Sequence, residues 1–446
     1  MVRRLLVVGG DAAGMGAATQ ARRLDGDLEI VVAERGRYTS YSACGLPYLV
    51  AGDVDGVDDL VAKTPSELRS TYRIDVRTRH EVVAVDMDRR TAEVRDLERE
   101  RTIRLPFDQL MMGTGARPVR PDLPGIDEPW VHGIQTLEDG SALLEAAEHG
   151  RCRDVIIVGA GYIGLEMAEA FHRRGAQVTL VDANEHVMGR TLDPDLSECL
   201  GDALAKLGVQ VRLGERVEAF EGGRVITGTG ALPADLVVLG LGVEPNSQLA
   251  EEAGLELGEH GAIRVDRRQR ASADGVYAAG DCADTFDTVA GRRTYIALGT
   301  IANRTARVAG INLGGRYASF PGAVGTAVTN VCDFEVGRTG LTEHQASAAG
   351  FGAVTVTIDS TVRAGYFPGA EPVTVRLVAE VRTGRLLGGQ ILGGPGAAKR
   401  IDVLATALYA RLSVADLVDV DLSYAPPFSP VWDPVQAAAR KALSQI

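Results

Sequence analysis

Cysteine is scarce in this chain. Five are present among 446 residues, at positions 44, 152, 199, 282 and 332. None forms a CxxC pair or shows metal-ligand spacing, so neither a local redox disulfide nor a zinc site is expected. The odd, dispersed set also excludes the framework of a secreted disulfide-bonded domain. Positive charge is short as well. Against 60 Asp and Glu there are 47 Lys and Arg, a net charge of −13, which argues against a nucleic-acid backbone as partner. No apolar stretch approaches the length of a membrane span. The opening MVRRLLVVGG puts two arginines before an apolar run. The run ends at Gly9-Gly10, too soon for a signal peptide. It reads as a first strand, and a cytoplasmic location is the default expectation.

Glycine, in contrast, is plentiful at 53 residues, while hydrophobic residues make up 45 % and charged residues 24 %. These proportions suit a globular protein rich in tight turns, and the length corresponds to roughly three domains. Residues 4–8 predict a buried strand, 13–24 an Ala-rich helix and 29–34 a second strand, together a βαβ unit. The pattern recurs over 154–182. Segment 80–107 alternates apolar and polar residues and predicts antiparallel hairpin strands. Residues 110–127 read as a strand end and a Pro/Gly-rich crossover between domains, and 240–247 as a second boundary. GVYAAGDCAD (275–284) predicts a strand ending in Gly-Asp. Beyond 322, strands AVTVTIDS and VTVRLVAEV, a tight turn region at GGQILGG and a helix over 397–411 predict an α+β domain. The fold class is therefore α/β: two Rossmann-like nucleotide-binding domains and a C-terminal α+β domain.

The first glycine turn reads Gly9-Gly10-Asp11-Ala12-Ala13-Gly14. Its helix N-terminus offers free N–H groups to a pyrophosphate. Asp11 replaces the middle glycine of GxGxxG, and its carboxylate must point away from phosphates. Glu34, ending the second strand, is placed to bond ribose hydroxyls. Asp281, ending a later strand, suits the ribityl chain of a flavin, and Thr114-Gly115 lies at another strand end. Together these point to FAD. The second turn, Gly159-Ala160-Gly161-Tyr162-Ile163-Gly164, is a complete GxGxxG, with Glu166 at the helix start and Asp182 ending the next strand. Asp182 would bond an adenosine 2′-hydroxyl and repel a 2′-phosphate, so NADH is expected over NADPH.

Soon after the first turn stands Cys44, in Ser40-Tyr41-Ser42-Ala43-Cys44-Gly45-Leu46-Pro47-Tyr48. No cysteine lies nearby, so a disulfide, sulfenate or persulfide at Cys44 must involve another molecule. With these motifs the whole chain resembles the pyridine nucleotide–disulfide oxidoreductases. Within them it is similar to the single-cysteine branch of coenzyme A disulfide reductases, NADH oxidases, NADH peroxidases and persulfide reductases. SYSACGLPY (40–48), GYFPGA (365–370), GGPGAAKRIDVLA (393–405) and YAPPFSPVWDPV (424–435) carry the resemblance. It implies an FAD-binding domain of residues 1–115 and 245–320, an NAD(P)H-binding domain of 116–244 and a dimerisation domain of 322–446. A homodimer is implied. The resemblance adds Arg35, Val82 and Ala297 to the flavin contacts, and Ile163 and Gly242 to the nicotinamide nucleotide contacts.

It also implies roles at the reacting sulfur. Ala12 stands where the peroxidases and many oxidases have a histidine. Tyr366 and Tyr424 match two tyrosines that coenzyme A disulfide reductases take from the partner subunit. Gln20, Arg23 and Ser40 agree with the substrate contacts of those reductases. Ala43 replaces an asparagine, Tyr72 and Trp432 replace lysines, and Asn303 replaces a histidine, so the thiol is left open between coenzyme A and another. Hydride would pass from NADH to flavin and the electrons on to a disulfide at Cys44. A helix N-terminus beside a flavin is expected to lower the Cys44 pKa. Either phenol would donate to sulfur or protonate the leaving thiolate. Cys152, Cys199, Cys282 and Cys332 read as structural, and Arg22 and Arg23 as either a solvated helix end or contacts to an anionic substrate. The expectation is an FAD-dependent, NADH-preferring reductase of a low-molecular-weight disulfide or persulfide. An NADH oxidase working through a Cys44 sulfenate, and a redox-sensing flavoprotein, are the alternatives.

Overall fold

The structure, a computed structural model, describes residues 3–148 and 152–446. Met1 and Val2 of the opening segment lie outside the described residues. Apolar runs of four or five residues form the centre of two parallel sheets. In the first, the spatial order of strands is Val276–Ala278, Gln109–Met112, Arg4–Val8, Glu29–Ala33 and Asp75–Arg77. In the second it is Gln210–Leu213, Gln177–Asp182, Asp154–Val158, Leu236–Leu239 and Val131–Gly133. Central strands such as 5–8 and 155–158 are buried throughout, as strands covered on both faces must be. Helices Ala12–Leu24 and Tyr162–Arg173 follow the two central strands. The fold is mixed α/β, with nucleotide-binding topology in both sheets.

Segment 80–107 folds into three antiparallel strands, His80–Asp86, Thr91–Asp96 and Arg101–Pro106. The strand expected over 275–284 is confined to Val276–Ala278, and the helix expected over 397–411 is a 3₁₀ turn, Ala398–Arg400, running into helix Ile401–Ala410. The third sheet is antiparallel, in the order Ala327–Val331, Phe334–Gly340, Leu386–Gly393, Pro372–Glu380 and Ala353–Thr361. One expectation fails here. GGQILGG is no turn; all but its last glycine belongs to the fully buried strand Leu386–Gly393. Its glycines admit close neighbours: a Cβ on Gly388 would lie 2.0 Å from the Leu341 carbonyl oxygen, and one on Gly389 2.5 Å from Leu404.

Candidate active site

Two glycine turns build the site. A Cβ on Gly9 would stand 2.1 Å from the Gly113 carbonyl oxygen, and one on Gly14 1.9 Å from that of Gly9. The second turn repeats the solution, with a Gly164 Cβ 1.8 Å from the Gly159 carbonyl oxygen and Gly159 at φ +107°. Gly161 is different. A Cβ there would meet nothing nearer than the Gly240 oxygen at 3.9 Å. This leaves open space before the helix N-terminus, where backbone approaches a pyrophosphate. The cradle fits NAD(H).

Each turn is closed by the acid that ends the next strand. Glu34 accepts from the amides of Gly10 and Gly36, both at 2.6 Å. Asp182 accepts from the amides of Ala160 at 2.6 Å and Asn184 at 2.7 Å. Among the described residues Asp281 has no such donor. Burial alone pushes its carboxyl up to about 6. A half-buried acid without a side-chain partner leaves room for one, and the hydroxyls of a ribityl chain would supply it. The donor set thus fits FAD.

Around the first turn, Ala12 and Ala13 open helix Ala12–Leu24 and Arg35 is exposed beside Glu34. Val82 lies at the bulge of its hairpin, and Gly115 has φ +66°. Thr114 donates to the Asn246 carbonyl at 2.6 Å. Ala297 precedes helix Gly299–Leu313. At the second turn, Ile163 sits in the first turn of helix Tyr162–Arg173, and Gly242 has φ +91° with open space about it.

Cys44 occupies a 3₁₀ turn, Ala43–Gly45, ahead of the short helix Leu46–Ala51. Its loop is tied to the first turn: Ser40 N–H donates to the Gly10 carbonyl at 3.0 Å and Tyr41 N–H to Asp11 Oδ1 at 3.0 Å. The helix that follows is tied to the second unit. Leu46, Leu49 and Val50 share a core with Leu165 and Ala168. Arg174 Nε donates to the Val50 carbonyl at 2.8 Å, and Arg173 grips Asp53 with bonds of 2.7 and 2.6 Å. Glu166 is held from the third sheet, by Thr329 Oγ1 at 2.6 Å.

Cys44 is open to solvent, yet its thiol is recessed. Burial, then the carboxylates of Glu166, Asp281 and Asp11, push it up. The expected lowering is therefore not supplied by the polypeptide. Burial, backed by three acids from three elements, outweighs one six-residue helix. All five cysteines are free. Cys282 is buried, with its thiol pointing at the Met112 and Ala279 carbonyls, whereas Cys199 is exposed rather than packed.

Tyr366 and Tyr424 come together on the surface of the third domain. They are 77 % and 46 % exposed, and their phenols lie close enough to act on each other. Ala364 N–H donates to the Pro426 carbonyl at 3.0 Å, joining the two loops. Within one chain no described contact joins either phenol to Cys44.

Of the substrate residues, Gln20 lies where the two helices Ala12–Leu24 and Gly299–Leu313 cross at Gly310. Arg22 gives its N–H groups to the carbonyls of Tyr72, Asp25, Gly26 and Arg73, a structural use. Arg23 instead faces the Tyr72 ring at 6.0 Å. A residue unmarked in the sequence completes this cluster. Lys63 Nζ stands 4.5 Å from the same ring centroid and donates to the Tyr72 hydroxyl at 2.9 Å. Trp432 likewise carries a cation, Arg440, 4.4 Å from its ring. Each aromatic that replaces a family lysine has a positive side chain stacked on it. Asn303 caps nothing beyond its own helix, donating to the Gly299 carbonyl.

Two dinucleotide cradles, with an accessible cysteine on a segment fastened to both nucleotide units, define an FAD- and NAD(P)H-dependent oxidoreductase. The profile of the family "pyridine nucleotide-disulphide oxidoreductase" matches residues 3–306, and that of its dimerisation domain residues 326–434. The chain belongs to this family. An NAD(P)H sulfur oxidoreductase (CoA-dependent) of Pyrococcus abyssi is 38 % identical over 442 residues, covering 98 % of each chain. An NADH oxidase of Methanocaldococcus jannaschii is 34 % identical over 448 residues, covering 99 % of each. The solved structure of an NAD-dependent persulfide reductase from A. fulgidus superposes with a TM-score of 0.96 at 37 % identity, over 99 % of this chain and 83 % of that one. No helix among the described residues is long and apolar enough to cross a membrane.

Proposed function

We propose that this protein is an NADH-preferring reductase of a low-molecular-weight disulfide or persulfide, with Cys44 as its redox sulfur and coenzyme A as the favoured thiol. The carrying observation is that acids from both nucleotide units, Asp11, Asp281 and Glu166, converge on a cysteine that is solvent-accessible and has no disulfide partner. Gly9, Gly14, Glu34, Thr114 and Asp281 would hold FAD. Gly159, Gly161, Gly164, Glu166 and Asp182 would hold the nicotinamide nucleotide. Bound FAD supplies two-electron transfer between nicotinamide and sulfur. In the reading favoured here, the Cys44 thiolate attacks the disulfide R–S–S–R, forming a Cys44–S–S–R bond and releasing one thiolate. Two electrons from NADH then break that bond, restoring the Cys44 thiolate and releasing the second thiolate. The pair Tyr366 and Tyr424, supplied by the partner protomer of a homodimer, would protonate the leaving sulfur.

Coenzyme A is favoured because the positive charge absent at position 72 is present at Lys63 and Arg23, and the P. abyssi relative is described as CoA-dependent. Two measurements test the reading. Cys44→Ser is expected to abolish NADH-driven disulfide reduction while leaving bound flavin in place. Retained turnover refutes the role of Cys44. Lys63→Ala is expected to raise KM for coenzyme A disulfide about tenfold or more, since a charge-assisted contact contributes roughly 1.5–3 kcal/mol. KM for a small uncharged disulfide should stay unchanged. The M. jannaschii relative, an NADH oxidase, supports a second reading in which O₂ is the acceptor. Oxygen uptake that accounts for all NADH consumed, with no stimulation by coenzyme A disulfide or a persulfide, would establish it.

A further inference from the structure

Asp11 takes no part in the bond-making steps described so far, although it stands in place of the middle glycine of the first glycine turn. A side chain there lies at the mouth of the helix, where the second site leaves only open space at Gly161. The Asp11 side chain turns onto the cysteine loop. Its Oδ1 accepts the Tyr41 amide at 3.0 Å, and next to it the Gly10 carbonyl accepts the Ser40 amide at 3.0 Å. Two consecutive residues of the flavin turn thereby hold two consecutive residues of the cysteine loop. Gly10 is itself fixed through its N–H by Glu34 at 2.6 Å. The strain in the loop lies at the same point: Ser40 adopts φ +50°, a left-handed conformation that a non-glycine residue holds only when its surroundings enforce it. The Asp11 side chain is half-buried, so the bond is partly shielded from competing water.

We propose that Asp11 is a positioning residue that clamps the Cys44 loop to the flavin-binding turn, so that the place of the sulfur is set by the cofactor site. The proposal rests on the reading of Cys44 as the redox sulfur only for its consequence in turnover; the clamp itself is independent of it. The charged and titratable groups around this junction are Glu34 at the end of its strand with Arg35 beside it, Asp281 beyond the strand Val276–Ala278, Glu166 on the second phosphate helix, Glu138 and Asp139 on helix Leu137–Glu148, and Tyr41, Cys44 and Tyr48 in the loop and its helix. Glu166, Asp281 and Asp11 oppose ionisation of the thiol, so Asp11 acts on it in two separable ways, by holding the loop and by charge.

Amide hydrogen exchange on the holoenzyme, together with the pH dependence of Cys44 alkylation by iodoacetamide, separates the two. In Asp11→Ala the Ser40 and Tyr41 amides should exchange at least tenfold faster than in wild type, while the Gly45–Val50 amides stay protected. In Asp11→Asn, whose side-chain oxygen still accepts, Tyr41 protection should return to within about threefold of wild type. Its alkylation midpoint should fall below the wild-type value, because one carboxylate has gone. Unchanged Tyr41 exchange in Asp11→Ala overturns the proposal. So does Asp11→Asn that keeps its flavin absorbance yet leaves Tyr41 as exposed as Ala does. Should the alanine variant fail to fold, the asparagine variant alone decides, by retained or lost Tyr41 protection. Neither readout needs turnover, so a Cys44→Ser enzyme that stays active would refute the redox role of Cys44 and leave the clamp standing.

Discussion

At the scale of single residues, the site concentrates uncompensated acid. Asp281 is held near 6 against an ordinary 3.8. The sign of its effect on stability follows from linkage. A carboxyl raised on folding favours the folded chain most at low pH, and that advantage disappears as pH climbs through the folded value. At about 1.4 kcal/mol for each tenfold, the ionised group therefore costs the flavin-free fold up to about 3 kcal/mol above pH 6. Asp281→Asn is expected to raise the melting temperature of the apoprotein at pH 8, to change it little at pH 4, and to weaken flavin retention. Thermal melts at both pH values and flavin loss on dilution check the prediction. A variant that binds flavin as well as wild type would remove Asp281 from the flavin site. The same residues show where sequence reading stops. Glu34 and Asp182 were legible because a strand, a glycine turn and a terminal acid recur at fixed spacing. Lys63 was not, since nothing in its spacing connects it to Arg23 or Tyr72. The raised Cys44 thiol is not legible in the sequence, because its causes are burial in the folded chain and then the carboxylates of Glu166 and Asp281, which come from remote parts of the sequence.

At the scale of elements, glycine does two kinds of work. In the nucleotide turns it provides positive φ and close backbone contact, and there the pattern was readable. In Leu386–Gly393 it provides room for neighbouring strands and helices, which mimics a turn in the sequence and was read as one. Gly388→Ala tests the distinction. A Cβ placed 2.0 Å from the Leu341 carbonyl forces backbone to move, at a cost of about 1–3 kcal/mol or more. Were the segment a surface turn, alanine would be tolerated. Urea unfolding followed in the third domain should show the loss, with flavin absorbance at low urea unchanged. The parallel strands were legible for a simpler reason: buried on both faces, they appear as unbroken apolar runs. Hairpin 80–107 was visible by its alternation, but the length of strand Val276–Ala278 was not, because the buried Ala278-Ala279-Gly280 continues apolar past the last ladder bond.

At the scale of the whole molecule, the paired phenols of Tyr366 and Tyr424 lie exposed and away from their own Cys44, on a domain whose family role is dimerisation. Complementation between protomers follows. Mixed dimers of Cys44→Ser with Tyr366→Phe/Tyr424→Phe should contain one fully wild-type site, and should show about half the wild-type rate per dimer when each parent is inactive. Tagged, sequentially purified heterodimers measure this, and a rate no higher than that of the parents would place the tyrosines in the site of their own chain.

The short helix after Cys44 carries a consequence for modularity. Its sulfur-bearing end is fastened to the flavin unit, but Leu46, Leu49, Val50 and Asp53 are fastened to the nicotinamide unit. The two nucleotide units are therefore not interchangeable parts. A nicotinamide unit grafted from a relative to alter coenzyme preference would have to bring along its own version of residues 46–53, or the graft would change the cysteine together with the coenzyme.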